Sequence, residues 1–170
     1  MRMTIENRRY RVVIERDRPS ARFDGIDFLT STQPRESRDS IAPIRALVEL
    51  KRFFGTVPYA LVGGEFTPDQ GGSLVIDLHV SADVEADLQA PATRAGLPME
   101  FARPLLSGLL EQPSGFDVPA GSLRVDRGVY SELSSSPRSF QTTGRLFRAV
   151  LGAMAHGADV ESAVHQELEN

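Results

Sequence analysis

Alternating apolar and polar positions mark several strands along the chain. Tyr10, Val12 and Ile14 are separated by single residues, and the stretch Leu74–Val80 repeats the same period of two. Successive side chains of a strand point to opposite faces, so this period is typical of a strand that buries one face. The pattern predicts strands at Tyr10–Ile14, Leu74–Val80 and Leu123–Arg127, together with a short apolar strand at Val57–Val62.

Apolar residues three and four positions apart predict the helices. One such stripe follows Ser40, a residue type that can cap a helix, and predicts a helix from about Ile41 to Phe54. Further stripes predict a helix over Leu97–Glu111, another from Phe140 to about Gly157, and a short last helix containing Val160 and Val164. The segment Arg16–Arg38 mixes Pro, Ser, Asp and Gly and is expected to be a loop, as is the glycine-rich segment Gly63–Gly72 between two strands.

Together these elements predict an α+β fold. Strands with one apolar face and amphipathic helices are both satisfied in a two-layer sandwich, where a mainly antiparallel sheet is covered by helices on one face. A length of 170 residues fits a single domain over residues 1–170 and is enough to enclose a hydrophobic core. Within that domain, residues 16–55 are expected to form an extra segment made of a loop and a helix.

The charge balance limits how this protein can bind nucleic acid. The 19 basic and 23 acidic residues give a net charge of -4, which argues against binding by bulk electrostatics and restricts any RNA contact to a local patch. The absence of cysteine excludes disulfides and thiolate metal sites. The start of the chain lacks an apolar signal-like region, and no apolar run is long enough to span a bilayer, so a cytoplasmic location without a membrane partner is expected.

One segment resembles a known family. In Gly128–Phe140, a glycine, a tyrosine and paired serines precede a phenylalanine-bearing helix. This arrangement resembles the loop and helix start in domain four of elongation factor G, and it is similar to the equivalent loop of tetracycline ribosomal-protection proteins. The preceding pieces occur in the same order, from the double glycine Gly63-Gly64 through a strand, a helix and the turn Ser114-Gly115-Phe116 to another strand. The resemblance covers roughly residues 57–157.

The resemblance implies a fold like the second domain of ribosomal protein S5, with a left-handed crossover, and a ribosome or structured RNA as partner. In that family the domain contacts RNA through tip loops, which here correspond to Gly63–Gly72, Gln112–Pro119 and Arg127–Pro137. The residues implied as RNA or partner contacts are Gly63, Gly64, Phe116, Arg124, Arg127, Tyr130, Ser131 and Arg138. Ser131 stands where elongation factor G usually has a histidine, which argues against translocation by this chain.

Each implied contact residue also has a structural explanation. Gly63 and Gly64 fit a plain hairpin turn, because glycine adopts positive φ without strain. The arginines lie among acidic residues and fit a solvated surface, and Tyr130 and Phe116 fit the edge of a core. The competing hypothesis is therefore a protein-interaction or regulatory domain that kept the fold and lost the ribosomal role.

Catalysis and cofactor binding are not expected from the sequence. Asp77 and His79 share a strand face, but no nucleophile motif accompanies them. His156 and His165 lack the spacing and the third ligand of a metal site. The phosphate-binding motif G-x-x-x-x-G-K-[ST] is missing, so GTP binding by this chain is not expected. A non-enzymatic module is the resulting hypothesis.

Overall fold

A computed structural model describes residues 1–16, 21–52, 59–83 and 93–170 of the chain. This described part forms eight strands and three helices. The strands are β1 (Arg2–Glu6), β2 (Tyr10–Arg16), β3 (Asp27–Pro34), β4 (Ile44–Arg52), β5 (Ala60–Pro68), β6 (Ser73–Val80), β7 (Thr93–Ala95) and β8 (Gly121–Ser131). The helices are α1 (Met99–Leu110), α2 (Pro137–His156) and α3 (Val160–Glu169).

All eight strands belong to one sheet. Its order is β1-β2-β4-β5-β8-β6-β3, and β7 pairs with the end of β8. Every pair is antiparallel except β6–β8, whose two strands run in the same direction and are connected through β7 and α1. Parallel neighbours require such a crossover, whereas the antiparallel pair β1–β2 is linked by a short turn. The sheet is therefore mainly antiparallel with one parallel pair.

The helices cover one face of the sheet. α2 lies against β4 and β5, α1 lies against β6 and β3, and α3 packs on α2. The core between the layers contains fully buried phenylalanines, with Phe140 stacked on Phe101 at a ring distance of 4.7 Å. α1 and α2 approach closely at Gly108 and Gly144, where an added Cβ would lie 2.1 Å and 2.5 Å from backbone oxygens of the facing helix. None of the described helices covers the other side of the sheet, which we call the open face.

This arrangement confirms the coarse fold prediction of an α+β structure with a mainly antiparallel sheet. The strands predicted at Tyr10–Ile14, Leu74–Val80 and Leu123–Arg127 exist as β2, β6 and the first part of β8. The helices predicted at Leu97–Glu111, from Phe140, and around Val160 exist as α1, α2 and α3. The strand predicted at Val57–Val62 begins outside the described residues, and its described part belongs to β5.

The helix predicted from Ile41 to Phe54 is wrong, because the described part of that segment contains the strand β4. Ala46, Val48 and Leu50 face the helices, but Leu47 is also buried on the opposite face. A strand buried on both sides has a nearly continuous apolar run, which periodicity alone does not separate from a helical stripe. Ser40 has a φ of 63° and precedes no helix.

Two predicted loops are also wrong in part. The segment Arg16–Arg38 contains β3, a polar strand at the edge of the sheet, so the described parts of residues 16–55 contribute strands to the sheet. Gly63 and Gly64 lie inside β5 at a register shift against β8, and only residues 69–72 connect β5 with β6. Added Cβ atoms there would lie 2.1 Å from Leu47 Cδ2 and 2.0 Å from Arg124 O, so close strand packing requires these glycines.

The third predicted loop, Arg127–Pro137, begins later than expected. Residues 127–131 continue β8, and α2 already begins at Pro137. None of the described helices is long and apolar enough to cross a membrane.

Candidate functional site

The residues predicted to form one tip lie in three separate places. The β5–β6 turn and the α1–β8 loop meet near Asp69, whose N–H donates to Ala120 O at 3.2 Å. The segment after β8 lies at the other end of α2. At 1.5 Å per residue, the helix separates Arg138 from His156 by about 27 Å. We call these two ends of the molecule the Arg138 end and the Asp117 end; Gly63, Gly64, Arg124 and Arg127 lie between them in the sheet.

A row of ion pairs crosses the open face between the two ends. Arg45 Nε lies 2.5 Å from Glu65 Oε2, and Arg124 lies between Glu65 at 3.9 Å and Asp126 at 3.2 Å. The hydrogen bond from Arg45 is the main reason why the pKa of Glu65 lies below its ordinary value. Positive and negative side chains alternate along this row, so it presents little net charge to a polyanion.

Asp126 is the buried centre of this row. Only 2% of it is exposed, and Arg127 Nη1 donates to its Oδ1 at 3.1 Å. Arg22 lies in a neighbouring segment that forms a β-bridge with Arg127, and its Nε is 3.5 Å from Asp126 Oδ2. A buried carboxylate requires such partners because an unpaired charge would be costly to desolvate. Arg124 and Arg127 are therefore engaged within the protein.

The Asp117 end combines an ion pair between buried Arg148 and half-buried Asp117 with an exposed aromatic ring. Arg148, 4% exposed, donates to Asp117 Oδ1 at 2.7 Å and 3.0 Å, and Arg35 Nε lies 3.0 Å from the other oxygen. Phe116 is 50% exposed and stacks on His156 at 4.8 Å. A cleft of about 410 Å³ beside them is lined by Pro34, Arg35, Glu36, Ser37, Arg38, Asp117, Val118, Pro119 and His156. Its charges are mixed.

The Arg138 end has a different electrostatic character. A cleft of about 290 Å³ lies between the turn that joins β1 to β2 and the first residues of α2. Its lining residues are Arg9, Tyr10, Leu50, Ser136, Arg138, Ser139 and Thr142. Two exposed guanidinium groups thus share a cleft with the hydroxyl groups of Ser136, Ser139 and Thr142, and none of the described residues that line it is acidic. The described lining of the Arg138 cleft is therefore basic.

Local hydrogen bonds hold both walls of the Arg138 cleft. Asn7 Oδ1 accepts the N–H groups of Arg9 and Tyr10 at 2.8 Å and 2.7 Å, which fixes the β1–β2 turn. On the other wall, Ser136 and Ser139 form a reciprocal capping box at the start of α2. The capping box engages these serines, whereas the guanidinium groups of Arg9 and Arg138 and the hydroxyl of Thr142 also line the cleft as donors.

Tyr130 and Ser131 are used inside the protein. Tyr130 is 5% exposed, packs against Phe101 at 5.6 Å, and has a pKa raised mainly by burial. Ser131 is 4% exposed, and its Oγ accepts the N–H groups of Leu133 and Ser134 at 3.3 Å each. These two side chains shape the turn after β8 and present little surface to a partner. Among the implied contact residues, Phe116 and Arg138 are the exposed ones free of a carboxylate partner in the described part of the chain.

Arg9 was missed by sequence reasoning. The signal was present in Asn7-Arg8-Arg9, a polar turn with two adjacent arginines before the first predicted strand. Nothing in the sequence shows that this turn lies beside the start of α2, because residues 9 and 138 are distant along the chain.

Residues 1–16, 21–52, 59–83 and 93–170 contain no metal-binding cluster. No group of three His, Asp or Glu side chains in this part is placed to hold a metal ion. His79 lies under Phe28 with a ring distance of 4.8 Å, and His165 lies 3.8 Å from Glu161 on the surface of α3. Comparison of the chain with protein-family models, curated proteins and solved structures gives no match.

Proposed function

We propose that this chain is a cytoplasmic, non-enzymatic, translation-factor-like module of the S5 domain 2 type, and that it docks on the ribosome or on structured RNA through its Arg138 end. The observation that carries this proposal is the convergence of Arg9 and Arg138 on one cleft, whose described lining residues include no acidic side chain. Phosphate groups of the RNA backbone are the ligands that this chemistry fits, since guanidinium groups bind phosphate oxygens with two parallel hydrogen bonds.

The start of α2 adds to the attraction for phosphate. The N-terminal end of a helix carries a partial positive charge, and Arg138 lies in its first turn. Thr142, one turn further along, places a hydroxyl group in the same cleft. These contacts position a backbone and read no bases, so we expect binding that depends on RNA shape more than on sequence.

The position of the family-like segment supports the same end of the molecule. Gly128–Phe140, whose order of residues resembles elongation factor G domain four, runs from the end of β8 into α2 and includes Arg138. The proposed contact surface differs from the implied tip in two ways: it includes Arg9, and it leaves out Arg124 and Arg127, whose charge Asp126 and Glu65 offset.

A protein partner is the second candidate, and the Asp117 end favours it. The exposed ring of Phe116 beside the mixed charges of Arg35, Arg38, Glu36 and Asp117 is typical of a protein contact rather than of a phosphate site. On this alternative the fold serves a regulatory interaction without a ribosomal role.

Cosedimentation with ribosomes across a salt series tests the proposal. Wild-type protein is compared with Arg9→Ala/Arg138→Ala, and with the control Arg2→Ala/Arg38→Ala. The control lowers the net charge equally but changes exposed arginines outside the Arg138 cleft: Arg2 pairs with Glu15, and Arg38 lines the cleft at the Asp117 end. We expect salt-sensitive binding of the wild type, and a decrease of about one in the salt slope for each arginine removed from the Arg138 end.

Two results would contradict RNA docking at this end. One is the absence of cosedimentation even at low salt. The other is an equal loss of binding in the control variant, which would show that only total charge matters. The protein-partner alternative is tested by a pull-down that compares the wild type with Phe116→Ala. A protein captured by the wild type and lost from Phe116→Ala would assign the contact to the Asp117 end.

A further inference from the structure

The edge strand β3 exposes unpaired backbone groups. It pairs with β6 on one side, and no strand in the described part of the chain lies along its other side. Arg35 N–H donates to Gly72 O at 3.0 Å and continues the β3–β6 ladder, so odd-numbered residues of β3 direct their backbone groups toward β6. Phe28 N–H points away from β6 and donates to Asp27 Oδ1 at 2.8 Å. The backbone groups of Thr30 and Thr32 therefore point outward.

The opposite edge strand, β1, is protected from pairing and β3 is not. β1 has only five residues, and its two ends carry Arg2 and Glu6, paired with Glu15 and Arg11. Short length and charge are the usual means by which edge strands avoid a partner. β3 has eight residues, residues 28–33 carry no charge, and its ladder with β6 has no register shift from Asp27 to Pro34. Pro34 has no N–H and Phe28 N–H is engaged by Asp27, so Thr30 and Thr32 at the centre of β3 are the residues competent to pair with another strand.

An apolar groove accompanies this edge on the helix side. Leu29 of β3 and Leu106 and Leu110 of α1 line it, and each is only partly buried. Arg103 and Glu111 lie at its two ends on α1. Because α1 connects the parallel strands β6 and β8, it runs back along them and in the direction of β3. A strand added to β3 would bring its own covering helix against this groove.

We propose that two copies of this chain form a twofold-symmetric dimer, in which the two β3 strands pair antiparallel and the two α1 helices meet beside them. Opposite charges lie at the two ends of both elements: Asp27 and Arg35 flank β3, and Arg103 and Glu111 flank the apolar part of α1. Within one copy Arg35 also pairs with Asp117 and Glu111 with Arg145, so a second copy would add a further partner to each. Antiparallel pairing places each charge near its opposite in the second copy. A surface that is complementary to itself in this way is what a twofold interface requires.

The outward-facing groups and the end charges together select one register. Thr30 of one copy and Thr32 of the other form a hydrogen-bonded pair, so that Asp27 faces Arg35 of the second copy. Ser31 then lies on the twofold axis in a non-hydrogen-bonded pair with its own equivalent. This pairing extends the sheet across both copies and leaves the Arg138 end exposed, so it is independent of RNA docking.

The helices are necessary for a stable association. A stable interface buries about 1,200–2,000 Å² in total, which is more than a single strand pair provides. Leu106 and Leu110 supply the apolar part of that area, and their partial exposure in one copy is removed in the dimer. The proposal therefore requires both layers to continue across the axis.

The first test is the solution mass over a wide range of protein concentrations. We expect the mass of the wild type to approach twice 18.6 kDa as concentration rises. Thr30→Lys places like charges near the axis and keeps the protein monomeric, while the control Thr4→Lys on the edge strand β1 dimerises as the wild type does. A wild type that stays monomeric throughout would overturn the proposal, as would an equal loss of the dimer in the control.

The second test uses a single cysteine and needs no disruptive substitution. The chain has no cysteine, so Ser31→Cys introduces the one thiol. Cα atoms of a non-hydrogen-bonded antiparallel pair lie about 4.5 Å apart, within the range of about 4.4–6.8 Å that a disulfide spans. We expect mild oxidation to give a covalent dimer from Ser31→Cys much faster than from Thr4→Cys. Equal rates in the two variants would contradict pairing at β3.

Discussion

Substitution of the glycines at the α1–α2 crossing sets two opposing effects against each other. Gly108 and Gly144 lie inside helices, where replacement by alanine stabilises an isolated helix by about 1 kcal/mol. In this structure, however, the added Cβ atoms would lie 2.1 Å from Gln141 O and 2.5 Å from Leu105 O, whereas ordinary contact begins at 3.4 Å. Both contacts are with backbone atoms, so a rotamer change cannot relieve them.

The steric effect is expected to be the larger one. Overpacking of a well-packed core costs about 1–3 kcal/mol, and separation of two whole helices belongs at or above the upper end of that range. After the gain in helix propensity, Gly108→Ala or Gly144→Ala should lower the free energy of unfolding by about 2 kcal/mol. In a chain of this size that corresponds to a decrease in Tm of about 4–8 °C.

Thermal and denaturant unfolding of each variant, with Thr142→Ala as a control, checks this expectation. Thr142 lies on α2 but faces the Arg138 cleft, so its replacement should change stability by no more than about 0.5 kcal/mol. The double variant should cost less than the sum of the two single ones, because one separation of the helices relieves both contacts. A higher Tm in either single variant would refute the close crossing.

Three further predictions concern buried hydrogen bonds and titration. Arg45 lowers the pKa of Glu65, so the ionised carboxylate stabilises the fold fully above about pH 4.3, and this contribution is lost as the pH falls through the lowered pKa. Unfolding measured at pH 7 and at successively lower pH should show Glu65→Gln less stable than the wild type at pH 7, with the difference shrinking as the pH falls. Burial is the main cause of the raised pKa of Tyr59. The neutral phenol therefore stabilises the fold fully below about pH 10 and less as the pH rises further. The stability of Tyr59→Phe to alkaline unfolding should depend less on pH than that of the wild type. Glu167, 6% exposed, accepts a backbone N–H of the α1–β8 loop at 2.9 Å, and Glu167→Ala should cost about 1–3 kcal/mol in thermal unfolding, while the exposed Glu169→Ala should cost almost nothing.

The parts of the fold that the sequence predicts correctly are those with one buried face. β6 alternates strictly from Ser73 to Val80, and α2 carries its apolar stripe from Phe140 to Leu151, so period and structure agree. The apolar pattern of β4 predicts a helix because Leu47 is buried on the open face while its neighbours Ala46 and Val48 are buried on the helix side. β3 was missed for the opposite reason, since its exposed Thr, Ser and Gln residues resemble a loop. Both errors depend on where a strand lies in the sheet, which local pattern does not record.

The candidate site was predictable only in its residue types. Arg124 and Arg138 look equivalent in sequence, yet β8 places the first beside Glu65 and Asp126, and the start of α2 leaves the second exposed. The carboxylate that offsets Arg124 comes partly from β5, far away along the chain. Neutralisation of a charge by a distant residue is a tertiary effect, so it requires the fold. Whether these residues contact RNA stays a prediction.

The sheet order also has a consequence for the way the chain assembles. β3 lies between β2 and β4 in sequence, but those two strands pair with each other, and β3 lies at the far edge beyond β6. Because β3 pairs with β6 alone among the described strands, only the β3–β6 ladder of hydrogen bonds has to break for β3 to leave the sheet. The β2–β4 pair is unaffected by its departure. We therefore expect β3 to dock late in folding, and its amide hydrogens to exchange with solvent faster than those of β4 and β5.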